Sequence, residues 1–276
     1  MINLCFAIDK NFIAQLDVAL TSIFCNKDKN DELNIYVLTD SINTKIKQRF
    51  YQKYKNIQFI EIDTKQFQNY PLVSLSSMSV YYRLILPTLF SQFDKILFLD
   101  SDLIVTSSLQ DLYEQDITNY SLAAVEDIGI PQYLPKHITK LGLNKYFNAG
   151  VLLLNLKKMR NNNFETNFQT YINNHSKDLL FQDQDVLNVL CQNDVLFIDS
   201  KFNQQTTPQN QDTKKNIGTI IHYAGKKKPW NSLNFSAKYL LYWKYVKKSS
   251  FKLYFVKTIL DTFLKNIKLF IKYLIK

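Results

Sequence analysis

The chain has 276 residues, 46% of them hydrophobic, which is enough for the core of one α/β domain with an appendage and excludes a disordered polypeptide. Its net charge of +10 is uneven: residues 235–276 hold ten lysines against one acid, Asp261, whereas residues 1–234 carry 24 basic and 23 acidic groups, unlike an evenly basic nucleic-acid-binding domain. Cys5, Cys25 and Cys191 are far apart with no CxxC spacing, which argues against a zinc site or disulfide framework; with no basic segment ahead of the first apolar residues, the chain reads as cytosolic.

Residues 2–8, INLCFAI, are apolar and β-branched enough for a first strand, closing at Asp9-Lys10-Asn11-Phe12. A helix follows from Ile13 to Asn26, with Leu16, Ala19, Leu20 and Ile23 at helical spacing. A strand over Leu33–Leu38, a polar helix over Thr44–Lys55 and a strand over Ile57–Ile62 come next, then a loop containing Pro71. This alternation predicts a parallel sheet with crossover helices. Ligands collect at the carboxyl ends of such strands, which would set Asp9, Asn11 and Asp40 along one edge. Residues 79–90 read as a helix whose apolar face is interrupted by Arg83, either solvated or reaching a carboxylate or phosphate.

Residues 95–105, KILFLDSDLIV, hold an apolar strand that runs out at two aspartates. Side chains alternate in an extended backbone, so Asp100 and Asp102 would share a face, about two rises of roughly 3.3 Å apart, with Ser101 opposed. That spacing suits one hard cation. With 19 aspartates, Asp-x-Asp also arises by chance about once, and a second copy, Asp183 to Asp185, lies in a helical pattern where such residues do not share a face.

Leu122–Val125 is a further apolar run, ending in Glu126-Asp127, and Tyr146-Phe147-Asn148-Ala149-Gly150 leads into a buried strand over Val151–Leu154. Phe181-Gln182-Asp183-Gln184-Asp185 opens a helix at Val186–Leu190, where acids complement the dipole. In IGTIIHYAGKKKPW, residues 217–230, a strand ends at His222 and Gly225, Lys228, Pro229 and Trp230 follow. A lone histidine is more often a core residue, but a small loop and a lysine cluster suit a metal ligand beside a phosphate. His137 and His175 stand in polar surroundings. No GxGxxG or GxxxxGK[ST] occurs, so any nucleotide is held by neither a dinucleotide fingerprint nor a P-loop.

In the tail, Leu260, Phe263, Leu264, Ile267, Phe270, Ile271 and Leu274 recur at steps of three and four, with Lys257, Lys265, Lys268 and Lys272 on the other side. No apolar run approaches the roughly 20 residues a bilayer span needs. A basic amphipathic helix of this kind lies in a membrane interface or packs on the domain; the first reading is preferred because so many lysines accompany the apolar side.

The ordered motifs FAIDKNF, YYRL, FLDSDLIV, FNAGVLLLNLKKMR, FQDQDVLN, FNQQTTPQN and HYAGKKKPW resemble those of glycosyltransferase family 8 over about residues 2–232, and are most similar to the bacterial lipooligosaccharide and lipopolysaccharide α-galactosyltransferases. The resemblance implies a GT-A fold, a single Rossmann-like nucleotide-sugar-binding domain with a mixed, mostly parallel sheet over 1–234; the apolar spacing and lysines of the rest give an amphipathic membrane-association tail over 235–276. It implies a retaining transferase moving galactose or glucose from a UDP-hexose to a glycan or glycolipid acceptor at the cytoplasmic membrane, with Mn²⁺ or Mg²⁺ on Asp100, Asp102 and His222. By the same resemblance, Ala7, Ile8, Asp9, Asn11 and Phe12 hold uridine. Lys10 and Phe12 depart there from a common second acid and a common tyrosine. Arg83 and Ser101 also fall on the donor, Gly225, Lys228 and Trp230 close over the diphosphate, and Asp127, Asn148, Asp183 and Gln184 surround the transferred sugar and acceptor. Competing readings are a nucleotide-sugar hydrolase with the same metal site, and a non-catalytic basic module binding membrane or nucleic acid.

Overall fold

The computed structural model describes residues 1–72, 77–206, 217–232, 234 and 236–274; the side chains of 265, 266 and 268–274, and residues 207–210 of the FNQQTTPQN motif, fall outside it. The strands are β1 (Ile2–Ile8), β2 (Leu33–Thr39), β3 (Ile57–Glu61), β4 (Lys95–Leu99), β5 (Leu103–Val105), β6 (Leu122–Glu126), β7 (Phe147–Asn155), β8 (Val195–Phe197), β9 (Gln204–Gln205) and β10 (Ile220–His222). Seven form one sheet in the order β3-β2-β1-β4-β7-β6-β8, and β5, β10 and β9 form a second. In the large sheet β3, β2, β1 and β4 run parallel while β7 is antiparallel to both neighbours, so the sheet is mixed and mostly parallel.

Alternation along each strand splits the core into two layers. Leu97 and Leu99 of β4 pack on one face with Leu16, Ala19, Leu20 and Ile23 of α1 (Ile13–Asn26). Ile96 and Phe98 pack on the other with Tyr81, Tyr82, Phe164, Phe168, Val186 and Leu187. Both faces of β4 are therefore covered, as its uninterrupted apolar run requires. The segment expected as one helix over 79–90 divides into a 3₁₀ stretch, Met78–Ile85, and a short α-turn, Leu86–Leu89. Pro87 explains this, since its ring collides with the carbonyl four residues back and its missing N–H cannot bond there.

The packed body runs past residue 234. Helix Ala237–Val246 buries Tyr239, Tyr242, Tyr245 and Val246 against Ala14 and Val18 of α1, Ile104 of β5 and Ile221 of β10, and Phe255 is buried in the same cluster. The tyrosine-rich start of the segment expected as a tail thus has an aromatic face of its own to bury. Beyond it, in helix Lys252–Leu274, Leu253, Tyr254, Val256, Leu260, Phe263, Leu264 and Ile267 are exposed. Among the described residues, no helix is long and apolar enough to cross a membrane.

One buried carboxylate ties this C-terminal segment down. Asp17 of α1 accepts hydrogen bonds from Lys53 Nζ at 2.9 and 3.0 Å, from Tyr54 at 2.7 Å, and from the Ser249 hydroxyl and Ser250 N–H, each at 2.7 Å. Replacing it strands four donors, two of them on the turn before the last helix. Asp17→Ala is expected to lower unfolding free energy by about 3 kcal/mol, read from the urea midpoint. It should also increase proteolysis near Ser249.

Candidate active site and metal centre

The site lies where the chain passes from the large sheet to the small one. After Leu99 the strand stops and residues 100–102 bend into β5, so Asp100 and Asp102 are not on a continuing strand as the spacing predicts. Their backbones still belong to different partners: Asp100 N–H donates to Gly150 O at 2.8 Å, and Asp102 O accepts from Tyr223 N–H at 3.0 Å. The antiparallel register of β10 on β5 sets His222 opposite Leu103, and its Nε2 lies 3.2 Å from Asp102 Oδ1 and 3.7 Å from Asp100 Oδ2. The two acids and the imidazole are the group among the described residues that can share a metal ion, each offering an atom within 4.8 Å of the others.

The donor set fits a divalent cation. Two carboxylates and an imidazole, with no thiolate, suit Mn²⁺ or Mg²⁺ over softer ions. Gly150 lets two of these residues approach: a Cβ there would stand 2.2 Å from His222 Cε1 and 2.8 Å from Asp100 Oδ2. Lys228 Nζ also bonds Asp102 and the Tyr223 carbonyl. Burial alone would raise the Asp102 carboxyl, but Lys228 and His222 outweigh it and hold the group well below the usual carboxylate range.

Arg83 joins this cluster to the next. It is 7% exposed, with its guanidinium 4.4 Å from the centre of the Phe98 ring, on the face that β4's alternation assigns to Asp100. Nη2 pairs with Asp100 Oδ1 and Nε with Asp183 Oδ2, both at 2.9 Å, while Nη1 bonds the Ala149 carbonyl. Asp183 opens helix Gln182–Cys191, which Asn188 docks on β7 by accepting from Phe147 N–H at 2.7 Å and donating to its carbonyl at 2.9 Å. Gln184 Oε1 accepts from Ala149 N–H at 2.9 Å and faces Asn148 Nδ2 at 3.4 Å; Asn148 Nδ2 also reaches Asp127 Oδ2 at 3.2 Å. Arg83, Asp100, Asp102, Asp127, Asn148, Asp183, Gln184, His222 and Lys228 thus form one connected constellation, and Ser101, between the two acids in the chain, is buried.

Asp183 and Asp185 point apart, as helical geometry requires. Asp185 is fully buried and bonds His137 Nε2 at 3.0 and 3.1 Å, Tyr146 OH at 2.5 Å and Phe181 N–H at 2.8 Å. His137, read from sequence as lying in polar surroundings, is therefore buried; its partner is 48 residues away and left no local sign.

The carboxyl ends of β1, β2 and β4 line one edge, which places Asp9, Asn11 and Asp40 beside the cluster. Asp9 Oδ1 accepts from Asn11 N–H at 2.7 Å, shaping the turn into α1. A hollow of about 590 Å³ opens beside this turn, lined by Lys10, Asn11, Ile13, Ser41, Ile42, Asn43, Ile46 and Glu61, and stops short of the metal cluster. Ala7 is half-buried, whereas Ile8 lies in the core and offers only its backbone. Phe12 packs partly into two core clusters. Gly225 is exposed in the loop after His222. Trp230, expected over the diphosphate, is buried against Tyr242 and Phe255 and anchors the far end of that loop.

A mixed, mostly parallel sheet with paired aspartates at the exit of a central strand places the protein in the GT-A class of fold. Residues 3–234 match the family model for Glycosyl transferase family 8, and the chain belongs to that family. It is 33% identical over 242 residues to a putative glycosyltransferase of Haemophilus influenzae, covering 83% of this chain and 73% of the relative. It is 28% identical over 249 residues to lipopolysaccharide 1,3-galactosyltransferase of Salmonella typhimurium, again covering 83% and 73%. The crystal structure of the galactosyltransferase LgtC with donor and acceptor sugar analogs superposes with a TM-score of 0.81 at 28% identity, covering 90% of this chain and 96% of that one.

Burial pushes the Asp183 carboxyl up to about 7; Arg83 opposes this and Asp100 adds to it. A carboxylate whose folded value lies above its unfolded one loses stability as pH rises between the two, with the cost fully present above the folded value. Asp183→Asn removes that cost and keeps an acceptor for Arg83. The variant is expected to exceed the wild type in unfolding free energy, and by roughly 2 kcal/mol more at pH 8 than at pH 5, from urea denaturation at both pH values.

Proposed function

We propose that the protein is a retaining, metal-dependent hexosyltransferase that moves galactose or glucose from a UDP-sugar to a glycan or glycolipid acceptor of lipopolysaccharide or lipooligosaccharide type. The observation that carries this reading is the convergence of Asp100, Asp102 and His222 beside the Arg83–Asp183 pair in a family 8 chain. Relatives of known lipopolysaccharide activity and a galactosyltransferase structure holding donor and acceptor analogs support it.

In this reading Asp9, Asn11, Phe12 and the backbone of Ala7 and Ile8 receive the uridine at the β1–α1 turn. Asp100, Asp102 and His222 hold Mn²⁺ or Mg²⁺, which when bound neutralises the charge developing on the leaving diphosphate. Lys228 adds a positive charge from the loop that follows Gly225, and Arg83 and Ser101 orient the donor. Asp127, Asn148, Asp183 and Gln184 surround the hexose and exclude water from its anomeric carbon. The bond from that carbon to the phosphate oxygen breaks, a bond to the acceptor hydroxyl oxygen forms on the same face, and the hydroxyl proton passes to the departing phosphate oxygen. Gln184 supports this over a covalent route, because an amide is a poor nucleophile and its oxygen is already committed to Ala149 N–H.

UDP release measured across several UDP-sugars should require Mn²⁺ or Mg²⁺, stop with chelator, and rise on addition of a lactose-like acceptor. Asp102→Asn should lower it roughly 10²- to 10³-fold. Release that is metal-dependent but indifferent to every acceptor would favour the hydrolase reading.

The exposed apolar residues and lysines of the last helix support a second element of the proposal, peripheral attachment to the inner face of the cytoplasmic membrane, where a glycolipid acceptor resides. Because Tyr242, Tyr245 and Phe255 belong to the core, the segment to remove begins after Val256. A chain ending at Val256 should stay folded, keep acceptor-independent UDP release, and lose flotation with vesicles containing anionic lipid; equal flotation of both chains would refute attachment through this helix.

A further inference from the structure

Asn203, outside the motif positions given a role above, is 1% exposed and stands directly behind His222. Its side chain links the imidazole to the sugar-facing amides: Oδ1 lies 2.9 Å from His222 Nδ1, and Nδ2 lies 2.9 Å from Asn148 Oδ1. The direction of every bond in this chain follows from one backbone group. Gly150 N–H can only donate, and it donates to Asn148 Oδ1 at 3.0 Å, so that atom is an oxygen and accepts. The Asn203 atom facing it must then be the amide nitrogen, which turns the Asn203 oxygen toward His222. An oxygen there requires hydrogen on Nδ1. The remaining ring nitrogen, Nε2, faces Asp102 and Asp100, where a proton or a cation satisfies it; in the neutral ring its lone pair is the one offered to a metal ion.

We infer that Asn203 is a positioning residue: it fixes His222 in the Nδ1–H tautomer with Nε2 free to ligate, and it makes the orientation of the metal ligand depend on Asn148 and Gly150 beside the sugar site. Outer hydrogen-bond partners of ligating histidines act in this way and typically alter metal affinity about 10- to 100-fold when lost. The inference rests on the metal site proposed above. It also gives Gly150 a second use, since the glycine supplies the N–H that orients the network and the open space that the ring occupies.

The test uses the full chain without nucleotide. Titration with Mn²⁺ alone, followed by the electron paramagnetic resonance of the free ion, is expected to show affinity falling about 10- to 100-fold in Asn203→Leu. Asn203→Asp, which keeps an acceptor for Nδ1–H, should retain most of the affinity, although its bond to Asn148 is lost. The ¹⁵N resonances of the neutral His222 ring, assigned by difference against His222→Ala, should show hydrogen on Nδ1 in the wild type and a shift toward Nε2 in Asn203→Leu. Wild-type His222 carrying its hydrogen on Nε2 would overturn the inference even if Asn203→Leu does not fold. So would unchanged Mn²⁺ affinity in a folded Asn203→Leu when His222→Ala loses it. Unchanged affinity in His222→Ala would instead remove the metal reading itself.

Discussion

The structure turns on how three carboxylates are kept together in a poorly solvated place. Asp100, Asp102 and Asp183 converge from the bend after β4 and from the start of helix Gln182–Cys191, and like charges so close repel strongly in a low dielectric. Arg83 bridges Asp100 and Asp183, and Lys228 and His222 bear on Asp102. The compensation is unequal. Asp102 sits well below its ordinary pKa because its two partners outweigh burial, whereas burial raises Asp183 against the pull of Arg83, and Asp100 adds to the rise. A site arranged this way holds excess negative charge for an incoming cation, at a cost to stability.

That charge could not be assembled on one strand. A strand covered on both faces must be apolar throughout, so β4 delivers its acids only where it ends. The bend into β5 then changes sheets. One acid stays with β7 through Gly150 and the other moves to β10 through Tyr223, and the antiparallel pairing of β10 returns His222 to both. Residues 100 and 222 meet because two sheets share this seam.

Much of this was legible in the chain. Period-two and period-3.6 patterns located β1, α1, β2, β3 and β4 to within a residue or two, because each buries a continuous face and starts or ends at polar residues. The three residues able to share a metal ion are readable through the resemblance, and Asp-x-Asp spacing alone points to a shared face, although a bend rather than strand alternation brings the two acids together. What stayed hidden depends on contacts remote in sequence. The burial of His137 needs Asp185, the orientation of His222 needs Asn203, and the tight path through Arg83 follows from Pro87 rather than from hydrophobic period. Aromatic residues at 239–255 and apolar residues at 260–267 repeat at the same spacing, although the first group buries against α1 and the second does not, and spacing alone does not separate them.

The alternation of amides and acids at 182–185 has a physical reason in this charge arrangement. Gln184, Asn148, Asn203 and Asn188 are amides within or behind this cluster, and each accepts from a backbone or ring N–H without adding charge. A carboxylate at Gln184 would add another negative charge to this buried cluster, with only Ala149 N–H and the more distant Asn148 Nδ2 to solvate it. A hydrocarbon there would leave that N–H unpaired in a buried place. An amide offers a donor and an acceptor on separate atoms while remaining neutral, so a chain of amides can transmit orientation from Gly150 to His222 without disturbing the ionisation of the acids. The same property explains why these positions look unremarkable in sequence: asparagine and glutamine are ordinary surface residues, and only their burial beside charge gives them a role.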